Sequence, residues 1–188
     1  MCTETNGVKA KMKKYCISFL IVAIIILSGI GLTASENQIQ TEYLRIHIRA
    51  NSNNECDQSI KYKIKDAVIE YLTPFIAECK TKEQAQNMLN SRLNGVSAVA
   101  DNLLKNNGFS YRANAVIKRE EFPTRIYGNL ELEKGFYDAL IVNLGSGEGD
   151  NWWCVVYPPL CFTGEGSGYV YRSKILDVIN DFFRKEKT

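Results

Sequence analysis

The chain has 188 residues, 45% of them hydrophobic, with 13 glycines and 4 prolines, which suits one folded domain beside a targeting segment and excludes a low-complexity chain. The formal net charge is +2, and its excess sits at the N-terminus, where Lys9, Lys11, Lys13 and Lys14 face one acid, Glu4, within residues 1–35. Taking these from the 23 basic and 21 acidic residues leaves 19 and 20, a net of −1, so the cationic excess that phosphate neutralisation needs is missing and nucleic acid is not an expected partner.

Residues 16–32 read CISFLIVAIIILSGIGL, a run without a charge, preceded by the lysines and followed by acids at Glu36 and Glu42. Lysines resist crossing a bilayer, so the N-terminus is expected to stay in the cytoplasm and the remainder to be exported. The run is short for a spanning helix and long for the apolar part of a signal peptide. It therefore fits both a cleaved signal and an uncleaved anchor, with the small residues Thr33, Ala34 and Ser35 at the boundary. No cysteine follows the run, which argues against a lipoprotein anchor. The expected organisation is a basic region over residues 1–14, a signal or anchor over 15–35 and an exported domain over 36–188.

In YLRIHIRA, residues 43–50, Leu44, Ile46 and Ile48 alternate with Arg45, His47 and Arg49. That pattern predicts a strand with one buried face. After the Asn51–Asn54 turn, Asp57 or a nearby asparagine can cap a helix. Its stripe is Ile60, Ile64, Ala67, Val68, Tyr71, Leu72 and Phe75, with Lys61, Lys63, Lys65 and Glu70 mostly off it. Pro74 should break or kink the helix near its end. Cys56 and Cys79 flank this helix, too far apart to bond unless the kink at Pro74 folds the chain back, and are expected to be free or buried thiols. A second helix opens at Thr81 with Gln84 as its capping-box partner. Its apolar stripe runs from Ala85, Met88 and Leu89 to Val96, Val99 and Leu103. Gly95 weakens it, and Asn107-Gly108 stops it.

From Phe109 to Ile117 the period becomes two. Short strands are predicted near Asn129–Leu132 and Tyr137–Leu144, with Glu133-Lys134-Gly135 as a hairpin turn between them. The glycine-rich stretch 145–149 lacks the Gly-Lys-Ser/Thr end of a phosphate loop and reads as a flexible hairpin turn. Then come an apolar strand at Cys154–Tyr157 and a last helix from Ser173, with Leu176, Ile179, Phe182 and Phe183 as its buried stripe. The order predicts an α+β fold, a mixed or antiparallel sheet with about three helices on one face.

The chemistry of the chain is sparse. One histidine, no C-x-x-C and no H-E-x-x-H leave no metal site to expect, and no cofactor motif is present. Ser146 and Ser167, each between glycines, do not sit in a G-x-S-x-G elbow. The one enzymatic constellation is a Cys154–His47 pair, a thiolate with an imidazole base, such as an exported hydrolase acting on cell wall would use. Against it, His47 lies between two arginines on the polar side of its strand and is expected to face solvent or an interhelical gap.

Residues 151–162, NWWCVVYPPLCF, are the least ordinary stretch. Pro158-Pro159 cannot donate to a ladder and imply a turn. That turn either brings Cys154 and Cys161 within disulfide reach or leaves them as two buried thiols. Trp152, Trp153, Tyr157, Pro158, Pro159, Leu160 and Phe162 either fill the core or form a contact patch, with the turn presenting Pro158, Pro159 and Leu160 outward.

This segment, the glycine loop, Ala50-Asn51-Ser52, Asp57-Gln58, Lys65-Asp66-Ala67-Val68 and Phe122-Pro123-Thr124 with Tyr127-Gly128 together resemble the stage II sporulation protein R family of endospore-forming bacteria. Asn53 departs from the acid usual in that pattern. The resemblance spans about residues 43–176. It implies a non-enzymatic protein with no catalytic residue to carry over, secreted from the forespore into the intermembrane space or anchored facing it. There it would activate a membrane-embedded aspartic protease that processes the precursor of a mother-cell sigma factor.

Overall fold

The computed structural model describes residues 42–163 and 169–186, with side chains from 173 onward in the second span. The basic head, the apolar run and the cleavage-site residues lie outside these. The elements are β1 (Leu44–Arg49), α1 (Glu55–Ile76), α2 (Lys82–Asn106), β2 (Ala113–Phe122), β3 (Arg125–Tyr127), β4 (Leu130–Leu132), β5 (Gly135–Leu144), β6 (Asn151–Tyr157), a 3-10 turn Leu160–Phe162, and α3 (Tyr169–Glu186). The fold is α+β, as the element order predicts. Its mixed sheet has the order β2-β5-β1-β6, with β3 and β4 forming a separate two-stranded ribbon. None of the described helices is long and apolar enough to cross a membrane.

Strand β1 runs parallel to β5 and antiparallel to β6. A parallel neighbour needs a long crossover, and α1 and α2 lie within it. On α1 the stripe Ile60, Ile64, Val68, Leu72 and Ile76 is buried, and the helix ends two residues past Pro74. Thr81 caps α2 by accepting from the Gln84 N–H at 3.2 Å, while Gln84 Oε1 accepts from the Lys80 N–H at 2.8 Å. Ala85, Leu89, Val96, Ala100 and Leu104 turn into the core. Gly95 has a packing reason, since a Cβ there would stand 2.0 Å from the Tyr71 hydroxyl of α1. These helices meet the sheet face made by Leu44, Ile46, Ile48, Leu140, Val142 and Leu144.

Four expectations are corrected. First, β1 is covered on both faces: Arg45 is 0% and His47 1% exposed. Alternation reveals which side a residue faces, but not that a ribbon some 80 residues later will roof that side. Second, β4 pairs with β3 rather than with β5. The ten residues of β5 instead match the ten of β2 from Ala113↔Leu144 to Phe122↔Gly135, so β3 and β4 fold out as an excursion between them. Third, Lys61 is buried although it lies beside the apolar stripe. Its ammonium donates to Gln58 Oε1 at 2.6 Å and to the Asp150 carbonyl at 3.0 Å. Fourth, the glycine stretch is not a hairpin turn. It joins β5 to β6, and β1 lies between those two strands.

That glycine loop is pinned across the end of β1. Ser146 donates its N–H to Asn51 Oδ1 at 3.0 Å and its hydroxyl to the Asn51 carbonyl at 2.7 Å. The Gly149 N–H reaches the Ala50 carbonyl at 2.9 Å, and the Asp150 N–H reaches Asn53 Oδ1 at 2.6 Å. Gly149 is required by proximity, because a Cβ there would stand 2.3 Å from the Ser52 carbonyl oxygen. Beneath the turn, buried Asp57 accepts from Ser52 Oγ at 2.6 Å, Asn51 Nδ2 at 3.0 Å and the Tyr111 hydroxyl at 2.6 Å. Burial pushes its carboxyl up, but the hydrogen bonds from Ser52, Tyr111 and Asn51 outweigh it and hold the pKa below the ordinary carboxylate value.

Asp57→Asn is therefore expected to lose about 1.5–3 kcal/mol of stability at pH 7, the usual range for hydrogen bonds to a charged group, read from urea midpoints. Because the folded pKa is depressed, this contribution is present above the unfolded carboxylate pKa and lost as pH falls through the folded one. The gap between the two proteins should close on acidification.

Candidate functional site

β6 is an edge strand whose side chains alternate between two environments. Cys154 lies opposite Ile46 and Trp152 opposite Ile48, on the helix side, while Trp153 lies opposite His47 on the other. Cys154 and Cys161 form a disulfide with Cα atoms 6.2 Å apart, whereas Cys56 and Cys79 are free. Of the seven residues read as a contact patch, Tyr157, Pro158, Pro159 and Phe162 are buried, while Trp152, Trp153 and Leu160 are half-buried. The double proline is not turned outward. The disulfide draws the chain back so that Cys161 Sγ lies 2.8 Å from the Val155 carbonyl oxygen. The Tyr157 hydroxyl ties this region to the Lys80 carbonyl at 2.7 Å.

The Cys154–His47 pair does not form. Register places the two side chains on opposite faces of the sheet, and the sulfur is bonded to Cys161. Among the described residues no three His, Cys, Asp or Glu side chains gather as metal ligands would.

What sequence reasoning missed lies on the second face of the sheet. By register, Arg45, His47 and Arg49 of β1 share that face with Tyr137, Ala139, Ile141 and Asn143 of β5, and Phe122 and Glu120 of β2 lie on it too. The Arg45 guanidinium sits 4.4 Å from the Phe122 ring centroid and 4.8 Å from that of Tyr137, and it donates to the Tyr127 hydroxyl at 2.7 Å. Among the described residues its Nε and Nη1 and Asn143 Oδ1 have no hydrogen-bond partner, and His47 Nδ1 and Glu120 Oε2 face each other at 3.7 Å without one. Buried polar groups are nearly always satisfied, so these atoms without hydrogen bonds, gathered on one face, set it apart from an ordinary core. No sequence signal marks Arg45, because a buried and an exposed arginine look alike in an alternating strand.

His47 stacks on Trp153 with ring centroids 3.7 Å apart and accepts from Arg49 Nε at 3.3 Å. Arg49 in turn pairs with Glu120. Burial, helped by Arg49, overcomes Asn151 and Glu120 and pushes the imidazole pKa down to about 4. His47 is therefore neutral at pH 7.

Where this face meets the start of α1, a pocket of about 440 Å³ opens, with Gln58, Lys61, Asp150, Asn151, Trp153 and Arg125 in its wall. Arg125, on β3, stands 5.9 Å from the Trp153 ring centroid. Lys65, outside the pocket, stands 5.8 Å from the Trp152 ring. Two cations against one carboxylate suit an anionic visitor rather than a metal ion.

A family model described as Stage II sporulation protein R matches residues 40–166. The curated relative "Stage II sporulation protein R" of Bacillus subtilis (strain 168) is 35% identical over 168 residues, which cover 84% of this chain and 75% of the relative. No solved structure matches.

The depressed His47 pKa gives a signed expectation. The unfolded chain takes up a proton near pH 6.5 and the folded one only near 4, so stability is lost as pH falls through that window. His47→Phe, which keeps the stacking, should flatten the fall in denaturant midpoint between those limits. Reducing the disulfide, or replacing Cys154 and Cys161 by alanine, should cost about 2.5 kcal/mol on the chain-entropy account of a loop this short, measured by urea unfolding with and without reductant.

Proposed function

Since the chain belongs to the stage II sporulation protein R family and so has a sporulation role, we propose that it is an intercellular signal. It is exported from the forespore into the intermembrane space, or anchored facing it. There it activates a membrane-embedded aspartic protease of the mother cell, which then processes the precursor of a mother-cell sigma factor. The observation that carries this reading is the family match over residues 40–166. Three features agree with it. The apolar run behind a basic head has the pattern of an export segment. The Cys154–Cys161 bond suits the oxidising side of a membrane. The one nucleophile–base pair suggested by the sequence, Cys154 with His47, is split by the sheet.

Activation in this scheme is a matter of differential affinity. The chain binds the active arrangement of the protease more tightly than the inactive one and shifts the balance between them. Of the seven residues read as a contact patch, half-buried Trp152, Trp153 and Leu160 are the ones that remain open to a partner. Trp and Tyr anchors are enriched at the centres of such interfaces.

The test is reconstitution. The exported form of the chain is supplied to the outer side of vesicles that hold the protease and its precursor substrate. Processing should appear only when the chain is added. Processing at the same rate without it would overturn the proposal.

A further inference from the structure

We propose that the pocket beside the start of β6 is the seat for a carboxylate on an extended acidic segment of the partner, which lies along the open edge of that strand. This rests on the reading of the chain as a protein that works by binding another protein, and it says where and by what chemistry.

Four observations carry it. β6 is the outermost strand of its sheet, and among the described residues no strand pairs with its outer side. An unpaired edge offers N–H and C=O groups to an incoming strand. The disulfide loop crowds that edge at Val155, which leaves Asn151–Trp153 as the accessible part, next to the pocket. Second, Lys61 lies in the pocket wall with 1% exposure. Its ammonium has three donors, and the acceptors it has found, Gln58 Oε1 and the Asp150 carbonyl oxygen, are both neutral. Among the described residues no carboxylate pairs with it. The Asp150 carboxylate acts on it only through space and burial still lowers its pKa, so this costly buried cation gains from a carboxylate that reaches it directly.

Third, Arg125 stands exposed at the rim, its guanidinium donating, among the described residues, to the neighbouring Thr124 carbonyl at 3.3 Å. A guanidinium is built for forked recognition of a carboxylate. Fourth, Trp153 walls the pocket, and Trp152 lies close by with Lys65 over its ring. The two rings supply flat apolar area on either side of the strand. Asp150 is the one acid in the wall, and it keeps the site modestly rather than strongly cationic. An open strand edge beside the cations favours a polypeptide over a free anion, since a phosphate has no use for backbone donors and acceptors in a row.

The full-length chain in detergent micelles provides the test. A synthetic peptide alternating glutamate with valine, and its glutamine counterpart, are titrated while the backbone amide signals of Asn151–Trp153 and the tryptophan fluorescence are followed. The glutamate peptide should shift those amides and bind at least about tenfold more tightly than the glutamine peptide, a difference of about 1.4 kcal/mol. Arg125→Glu should abolish that preference, and Lys105→Glu, an exposed change elsewhere, should leave it intact. Equal affinity for the two peptides, or an Arg125→Glu variant that binds like the parent, would overturn the inference. So would the same amide shifts on adding inorganic phosphate, or on concentrating the chain without peptide. In the processing assay, Arg125→Glu should activate at least about tenfold less well than Lys105→Glu. Equal activation by the two variants sinks this inference and leaves the signalling role standing. No processing even with the parent chain sinks the signalling role, and the peptide titration still decides the site.

Discussion

One carboxylate at the start of α1 ties the turn after β1 to a segment of chain far along the sequence. Asp57 accepts from Asn51 and Ser52 in the turn after β1 and from Tyr111 ahead of β2. Because Asn51 is fixed from below, it can hold Ser146 from above. Asn53 of the same turn receives the Asp150 N–H. Asp150, the residue just before β6, is thus placed by a turn about 100 residues earlier. Its carbonyl then receives Lys61, and the strand after it carries Trp152, Trp153 and Cys154. The pocket and the edge strand inherit their position from this network, which explains why small residues are needed in the loop. At Gly145 and Gly149 the approach of Asn51 and Ser52 leaves no room for a side chain.

The sheet has two unlike faces. Against the helices it is plainly apolar. Under the β3–β4 ribbon it holds Arg45 and His47 among Phe122, Tyr137 and Trp153. Burying a guanidinium beside aromatic rings recovers some of its lost hydration through cation–π attraction, and Tyr127 adds one hydrogen bond. Neither replaces the water shell of a full charge, and apolar residues of like volume commonly match or exceed such arrangements in stability. The array is therefore poorly explained as a device for stability. It does fix the ribbon, because the Arg45–Tyr127 bond joins β1 to β3, and Arg125 two residues earlier reaches the pocket from that same ribbon.

Much of this was legible in the sequence. Apolar periodicity located both long helices, Thr81 and Gln84 located the start of the second, and Pro74 its neighbour's end. Alternation located β1, and the paired prolines between two cysteines pointed to the turn that the disulfide closes. What could not be read depends on long-range pairing. Glu133-Lys134-Gly135 has the composition of a hairpin turn. Yet β5 finds a longer partner in β2, and a local turn signal loses to a ten-residue ladder. Arg45 and Lys61 escaped for a related reason. Charge in a sequence is a prior for exposure, and only the fold reveals where that prior fails.

A protein whose task is to switch another faces a demand on rigidity. Moving a partner from one part in a hundred active to the reverse requires about 5.5 kcal/mol of preference for the active form. Any ordering of the ligand on binding is subtracted from that preference. A loop-borne contact surface would forfeit much of it, since each immobilised side chain costs about 0.5–1.5 kcal/mol. Here the candidate surface rests on a strand whose start is locked by the Asp57 network and whose far end is closed by Cys154–Cys161. Both restraints act before any partner arrives. In the proposed role, the binding free energy of Trp152, Trp153 and the flanking cations would then go to choosing between states of the partner, rather than to ordering the surface that presents them.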